Sequence, residues 1–336
     1  MFFSIIVPAF SRKGEVEELF ESLTLQNYKA FEIILADATP DKELFPVVEQ
    51  YANKLNIKHL HQPFLRISPS RNMGAKEAKG DFFLFFDSDC IIPPQYLTIV
   101  SQKIIADRID AYGGPDAANP SFTPVQKAIS YSMTSLWTTG GIRGRNKHVG
   151  KFHPRGFNMG ISKPAFDSVG GYGDLKCAED IDLSIRLINK GYHVVLIPEA
   201  FVYHKRRTDF HRFFKQIFRF GSARVDIYKM YPKELKITHL FPVAFLFGLF
   251  FWVLSPLFYF PVFLVFSILW LFYFFLIFVS STLQNSSVYI GFLSIVSTLT
   301  QMTAYGLGFL NNFTKRVLLN QQPKVNTKKK GPESPL

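Results

Sequence analysis

Cysteine is almost missing from this 336-residue chain: Cys90 and Cys177 stand alone, with no metal-type spacing between them. A disulfide framework and a cysteine-rich zinc module are excluded, which leaves two reduced cytosolic thiols. Also missing is every Asp, Glu, Lys and Arg over residues 237–314, a run of 78 positions. An uncharged stretch of that length reads as membrane-embedded. The opening MFFSIIVPAF has no basic segment and its apolar run stops at Pro8, so it does not read as a signal peptide.

Phenylalanine, 37 residues, and positive charge, a formal net of +12, are in excess. The charge is placed unevenly. Residues 1–203 carry 22 basic and 22 acidic side chains, residues 204–236 carry ten against three, and the tail from Lys315 carries six against one. All the excess therefore flanks the uncharged region, as cytoplasmic anchors beside transmembrane helices do. A nucleic-acid binder would instead carry a basic stripe on its folded domain, so no nucleic-acid partner is expected.

The first 110 residues alternate strand-like and helix-like patterns. FFSIIVPAF, FEIILAD, IKHLHQ and DFFLFFDSD read as strands, and GEVEELFESLTLQ, KELFPVVEQYANKL and SPSRNMGAKEAKG as helices between them. Such alternation predicts an α/β fold with a doubly wound, mostly parallel sheet, whose ligand site lies beyond the carboxyl ends of the strands. Pro8, Ala9 and Phe10, then Asp37, then Asp87, Ser88 and Asp89 all fall at such ends. Residues 113–158 read as loops with short elements, AEDIDLSIRLINKG as a helix, and YHVVLIPEAFVYH as a strand with an extended continuation. Phe210, Phe213, Phe214, Ile217, Phe218, Gly221, Val225 and Tyr228 recur at helical spacing with basic residues between them, the pattern of an amphipathic helix lying in a membrane interface. The uncharged region divides near 239–255, 257–280 and 288–310. The second and third are long enough to span and the first is short, so two or three transmembrane helices are expected. Four segments result: 1–205, 206–236, 237–314, and a basic disordered tail at 315–336.

Two carboxylates spaced Asp-x-Asp at the end of an apolar strand can share a hard divalent cation, Mg²⁺ or Mn²⁺, which commonly bridges carboxylates to diphosphate oxygens. With SIIVPAF, EIILAD, SRNMGAKEAKGDFFLFFDSD, GFNMGISKPAFDSVGGYGD and AEDIDLSIRLINKGY in that order, residues 3–205 resemble a family 2 glycosyltransferase of the GT-A fold. The resemblance implies a nucleotide-sugar donor, a UDP- or GDP-sugar, bound by Pro8, Ala9, Phe10, Asp37, Arg71, Asp87 and Ser88. It implies Asp180 as the catalytic base beside Glu179, and Asp87 and Asp89 as metal ligands. His204 is a further candidate for the metal or the diphosphate, with a surface histidine as its plain alternative. Asn158, Met159 and Gly160, with Gln216 and Arg219, are candidates for the acceptor side. The C-terminal part looks like that of bacterial members acting on lipid-linked or membrane-adjacent glycan acceptors, which implies a multi-pass inner-membrane protein with its catalytic domain facing the cytoplasm and membrane lipids as partners.

The chain departs from the family pattern in places. Ser11 stands where the family usually has Asn, and the loop ATPD after Asp37 is one residue shorter than usual, leaving open whether Asp37 or Asp41 faces the nucleotide. The Gln-x-x-Arg-Trp of processive synthases is missing, which disfavours a long-chain synthase. Arg71 is a candidate either for the diphosphate or for pairing with an Asp in the crevice. Arg143, Arg145, Lys147 and Lys151 read as solvated, with an acceptor-phosphate role as the alternative, and Trp137 as core or as a sugar-stacking platform. The rival to an enzyme is a catalytically silent membrane scaffold that binds nucleotide-sugar or partners. The retained Asp87, Asp89, Glu179 and Asp180 argue against it.

Overall fold

A computed structural model describes residues 1–139 and 152–322; Arg143, Arg145, Lys147, Lys151 and the tail beyond 322 lie outside the described residues. In chain order the main elements are β1 (Phe3–Ala9), α1 (Lys13–Thr24), β2 (Phe31–Asp37), α2 (Phe45–Tyr51), β3 (Ile57–His61), α3 (Ile67–Lys76), β4 (Phe82–Phe86), β5 (Cys90–Ile91), α4 (Tyr96–Asp107), β6 (Ala111–Gly113), β7 (Asp116–Ala117), α5 (Pro124–Thr134) and α6 (Leu136–Thr139). After the undescribed segment come β8 (Asn158–Ser162), α7 (Lys163–Ser168), α8 (Glu179–Asn189), β9 (Val194–Leu196), β10 (Val202–His204), α9 (Phe210–Met230), α10 (Phe241–Leu254), α11 (Phe260–Asn285) and α12 (Val288–Phe313). They form two compact units, one of residues 1–119 and 152–205, the other of residues 120–139 and 206–322.

The first unit is built on a sheet of order β3-β2-β1-β4-β8-β6-β9, in which β8 alone runs against its neighbours. All five apolar residues of β4 are buried, as a strand covered on both faces requires. One face packs Leu19, Val47 and Leu97 from α1, α2 and α4, and the other packs Ala75, Phe166 and Leu183 from α3, α7 and α8. A second, three-stranded sheet of order β5-β10-β7 brings the segment after β4 beside the end of the unit. In register, Ala9 pairs with Asp37, so the carboxyl ends of β1 and β2 are level.

In the second unit α5 is a three-turn helix where the sequence pattern suggested loops with short elements. Pro124 opens it, and Thr123 and Gln126 cap each other's backbone. Its Ile129 and Met133 are buried with Phe213, Ile217 and Ala304, which is why residues 120–139 belong with this unit and interrupt the contiguous 1–205 segment. The same cluster bears on α9. Of its apolar stripe, Phe213, Ile217, Gly221 and Val225 are buried against protein, while Phe210, Phe214, Phe218 and Tyr228 are half-buried.

Small residues let α9 and α12 approach closely. A Cβ on Gly221 would sit 2.1 Å from the Tyr305 carbonyl oxygen, and one on Gly308 2.0 Å from that of Phe218. Farther along, the Ser222 hydroxyl donates to Gly308 O (3.1 Å) and Asn312 Nδ2 to Ser222 O (2.7 Å). Then Arg316 Nε meets Asp226 Oδ1 at 3.1 Å and Lys229 Nζ donates to Arg316 O at 2.9 Å. The contacts advance together on both helices, so α9 and α12 run parallel. By contrast α11 and α12 form an antiparallel hairpin, with Ser281 and Ser294 hydroxyls 2.6 Å apart near its turn. Three stretches, Ile237–Leu257, Phe260–Asn285 and Val288–Leu318, are long and apolar enough to cross a membrane.

Candidate active site

The crevice lies where β1, β2 and β4 end. Asp37 is wholly buried: Oδ1 accepts from Thr39 N (2.8 Å), and Oδ2 meets His59 Nε2 (2.9 Å) from the adjoining strand β3. Burial alone would raise its pKa, but the hydrogen bonds from His59 and Thr39 outweigh that and hold the carboxyl below its ordinary range. Asp41 is exposed. After β1, Ser11 and Arg12 both adopt left-handed backbone, at φ 57° and 67°. That conformation costs a non-glycine residue about 1–2 kcal/mol. Asn tolerates it better than Ser does, which gives a physical reason for the Asn that the family pattern leads one to expect at this place.

Arg71, on α3, organises the centre. It is 1% exposed, donating from Nη2 to Asp87 Oδ1 and from Nη1 to Glu179 Oε1, each at 2.8 Å. The ring of Tyr172 lies 5.0 Å beneath its guanidinium carbon, and a Cβ on Gly156 would strike Nη2 at 2.6 Å. Of the two roles open to Arg71 in the sequence, the structure shows the pairing with a crevice aspartate. Burial first, and then the charge of Asp180, push the Glu179 carboxyl above its ordinary range, against the pull of Arg71. Asp180 accepts from Gly156 N (3.0 Å) at one oxygen and from Ile181 N (2.8 Å) at the other. Ala178, just before this pair, is held at φ 65° and sets the angle at which α8 begins.

Asp89 turns the other way from Asp87. Its Oδ2 accepts from Arg12 Nη1 (3.2 Å), and its Oδ1 lies 3.1 Å from His204 Nε2. A carboxylate oxygen and an imidazole nitrogen at that separation are a donor pair suited to a divalent cation. Within this group Cys90 Sγ, an Asp89 oxygen and a His204 nitrogen all lie within 4.8 Å of one another. Asp87, with one oxygen on Arg71, is not part of that group.

Other candidates fall elsewhere. Pro8 and Phe10 are half-buried at the end of β1, with Ala9 buried between them, and Ser88 is buried between the two aspartates. Asn158, Met159 and Gly160 are enclosed in β8. Asn158 is fully buried, its amide bonded to Ala200 O (2.8 Å) and to the Tyr96 hydroxyl, and Gly160 packs on the Tyr112 ring. That burial corrects their assignment to the acceptor: they hold the sheet together. Gln216 and Arg219 lie on α9, in the second unit, and Trp137 there is 47% exposed and so is not core. Arg12, His59, Cys90 and Asp116 were not among the site candidates in the sequence, where Cys90 read only as a reduced thiol. Only Cys90, next to the Asp-x-Asp, carried a local signal.

The fold is similar to that of the mannosyltransferase PcManGT from Pyrobaculum calidifontis, solved with GDP-Man and Mn²⁺, at a TM-score of 0.61 and 14% identity over 88% of this chain and 86% of that one. The architecture is the GT-A type. Residues 4–170 match the family described as Glycosyl transferase family 2, and the chain belongs to that family. An "Uncharacterized glycosyltransferase" of Haemophilus influenzae is 32% identical over 192 residues, 56% of this chain and 62% of the relative. The "Succinoglycan biosynthesis protein ExoA" of Rhizobium meliloti is 23% identical over 248 residues, 71% of this chain and 74% of the relative. The match thus spans less than two thirds of the Haemophilus protein's length.

Proposed function

We propose that this protein is a membrane-anchored, inverting glycosyltransferase that moves a sugar from a UDP- or GDP-sugar to a lipid-linked or membrane-adjacent glycan acceptor. One observation carries the reading: a single buried guanidinium, Arg71, holds Asp87 on the donor side and Glu179 on the base-bearing helix, each at 2.8 Å. Donor and acceptor halves of a transfer reaction are thereby fixed relative to one another, and such positioning is a large part of catalysis. The similarity to a succinoglycan biosynthesis protein favours a polysaccharide or glycolipid acceptor.

In this mechanism Asp180 takes the proton of the acceptor hydroxyl as the oxygen attacks the anomeric carbon from the face opposite the leaving diphosphate. Backbone donors from Gly156 and Ile181 fix the carboxylate's direction and leave further lone pairs for the acceptor proton. Glu179 supports the start of α8 through Arg71. A divalent cation would be held by Asp89 and His204 and would neutralise charge on the leaving group; Mg²⁺ and Mn²⁺ are the ions the family resemblance implies. Asp37, with His59 behind it, belongs to the nucleotide end of the crevice. The test is donor hydrolysis and transfer with and without Mn²⁺. Asp89→Ala should abolish metal-dependent donor binding and leave the fold intact; donor and Mn²⁺ affinities equal to wild type would defeat the assignment.

We read residues 1–119 and 152–205 as the cytoplasmic catalytic domain and α11–α12 as a hairpin crossing the inner membrane. The end of α9 is tied to the end of α12 through Lys229, Asp226 and Arg316. An odd number of crossings between them would separate those ends by a hydrocarbon core of about 30 Å. Two crossings keep Lys315 and Arg316 on the same side as α9, as the positive-inside rule requires, and leave α10 at the cytoplasmic interface. Cysteines introduced at Met230 and Asn320 should react with an impermeant thiol reagent from the same face of sealed vesicles, and one at Ser286 from the other face. Opposite sidedness of the first two would refute this topology.

A further inference from the structure

The metal-binding reading leaves open which cation the site takes, and the small sheet β5-β10-β7 bears on it. We infer that Cys90 is a third metal ligand beside Asp89 and His204, and that the site therefore selects Zn²⁺ over Mg²⁺ and Mn²⁺. This inference rests on the proposal that Asp89 and His204 hold a cation.

Cys90 and His204 are directly opposite each other in the antiparallel pair β5–β10. Directly opposite residues project to the same face of a sheet, with Cβ atoms about 4.5–5.5 Å apart. The thiol, the imidazole and the Asp89 carboxylate accordingly meet within 4.8 Å. His204 is also oriented as metal-ligating histidines are. The carboxylate of Asp116, 5% exposed and on the neighbouring strand β7, faces its other ring nitrogen at 3.8 Å. At that distance the carboxylate acts on the ring through its charge, which favours a cation on the opposite nitrogen. The Phe157 ring stacks on the imidazole at 4.7 Å and 19°, and the Phe157 carbonyl lies 3.5 Å from Cys90 Sγ.

A set of one thiolate, one imidazole and one carboxylate is not what Mg²⁺ prefers. That ion takes oxygen ligands in near-octahedral geometry and gives up water reluctantly. Zn²⁺ accepts S, N and O donors in a tetrahedron, and with three protein ligands keeps one position for an outside oxygen. Mn²⁺ stands below Co²⁺ and Zn²⁺ in affinity for such sites. The rival is that Cys90, 1% exposed and packed in the core with Phe86 and Tyr96, is only a small apolar filler.

Cobalt substitution separates the two. Full-length protein, purified in detergent, is titrated with Co²⁺ and followed by absorption, with Zn²⁺, Mn²⁺ and Mg²⁺ as competitors. The expected result is visible ligand-field bands together with a near-ultraviolet thiolate-to-cobalt charge-transfer band. That band should persist in Cys177→Ser and disappear in Cys90→Ser. Zn²⁺ should displace Co²⁺ where Mg²⁺ does not, and Asp116→Asn should weaken Zn²⁺ binding about 10–100-fold. Ligand-field bands without charge transfer in the wild-type protein would overturn the role of Cys90 while sparing a cation at Asp89 and His204. No binding of any of these ions would overturn both. The wild-type spectrum decides even if Cys90→Ser does not fold.

Discussion

Asp180→Asn is expected to lower sugar transfer by roughly 10²–10⁴-fold, the usual contribution of a general base, while donor affinity stays close to wild type. The amide keeps the size of the carboxylate and one oxygen to accept from Gly156 N or Ile181 N. It cannot take a proton. Donor affinity should hold because the groups at the donor end, Asp37, Asp87 and Asp89, sit on β2 and the turn after β4, not on α8. Glu179→Gln should reduce transfer less, since Glu179 acts through Arg71 and not on the acceptor. A purely structural role for Asp180, as a carboxylate complementing a helix N-terminus, is worth about 0.3–1 kcal/mol and predicts a small stability loss with near-normal turnover. Single-turnover rates alongside donor titrations separate these cases. Transfer within a few-fold of wild type would remove Asp180 from the mechanism.

Much of this site was legible because the sequence pattern and the physics coincide. FFLFF followed by Asp-Ser-Asp can only be a buried strand that ends at water, and β4 is that strand. AEDIDLSIRLINKG carries three acidic residues in its first turn and a glycine at its end, and α8 spans Glu179–Asn189. The metal-side group was not legible in the same way. Asp116, Cys90 and His204 sit on strands of two or three residues, too short for any periodicity, and their meeting depends on pairing across the chain. Arg12 was hidden because its contact with Asp89 depends on two consecutive left-handed residues, which no residue type at those positions announces.

The second unit shows the complementary limit. Helical spacing in 210–228 revealed an apolar stripe but not what would cover it. The covering helix is α12, ninety residues onward, and the clue was the small residues, Gly221 on one helix and Gly308 on the other. Helix α5 escaped for a related reason. Its Ser130, Ser132, Thr134 and Gln126 read as loop composition, yet the Ser132 hydroxyl is buried 2.7 Å from that of Ser297. Polar residues at a helix interface obscure the apolar period that sequence reading relies on.

Arg71→Met should have the largest effect on the folded state, about 3–5 kcal/mol, because it removes the cation from the buried pair with Glu179 and the half-buried pair with Asp87 and leaves both carboxylates uncompensated. Methionine replaces the aliphatic stem of the side chain but supplies none of its donors. The pH dependence has a definite sign. The pKa of Glu179 in the folded chain is raised, so between its ordinary value and the folded one the native state holds more protons than the unfolded state. Stability from this group is therefore fully present below the ordinary glutamate pKa and is lost as pH rises through the folded value. Removing Arg71 takes away the largest attraction opposing that shift, so the deficit of Arg71→Met should shrink on acidification and grow toward neutral pH. Arg71→Met combined with Glu179→Gln should recover part of the loss, since the uncompensated charge is gone. Arg71→Lys should recover less of the activity than of the stability: a single ammonium cannot reproduce two directed bonds from one planar group. Were Arg71 only a contact for the donor's diphosphate, the variant would melt close to wild type and lose donor affinity alone. Thermal unfolding at several pH values together with donor titration tells the two apart, and an Arg71→Met protein as stable as wild type at neutral pH would show that the bridge between Asp87 and Glu179 does not hold the site together.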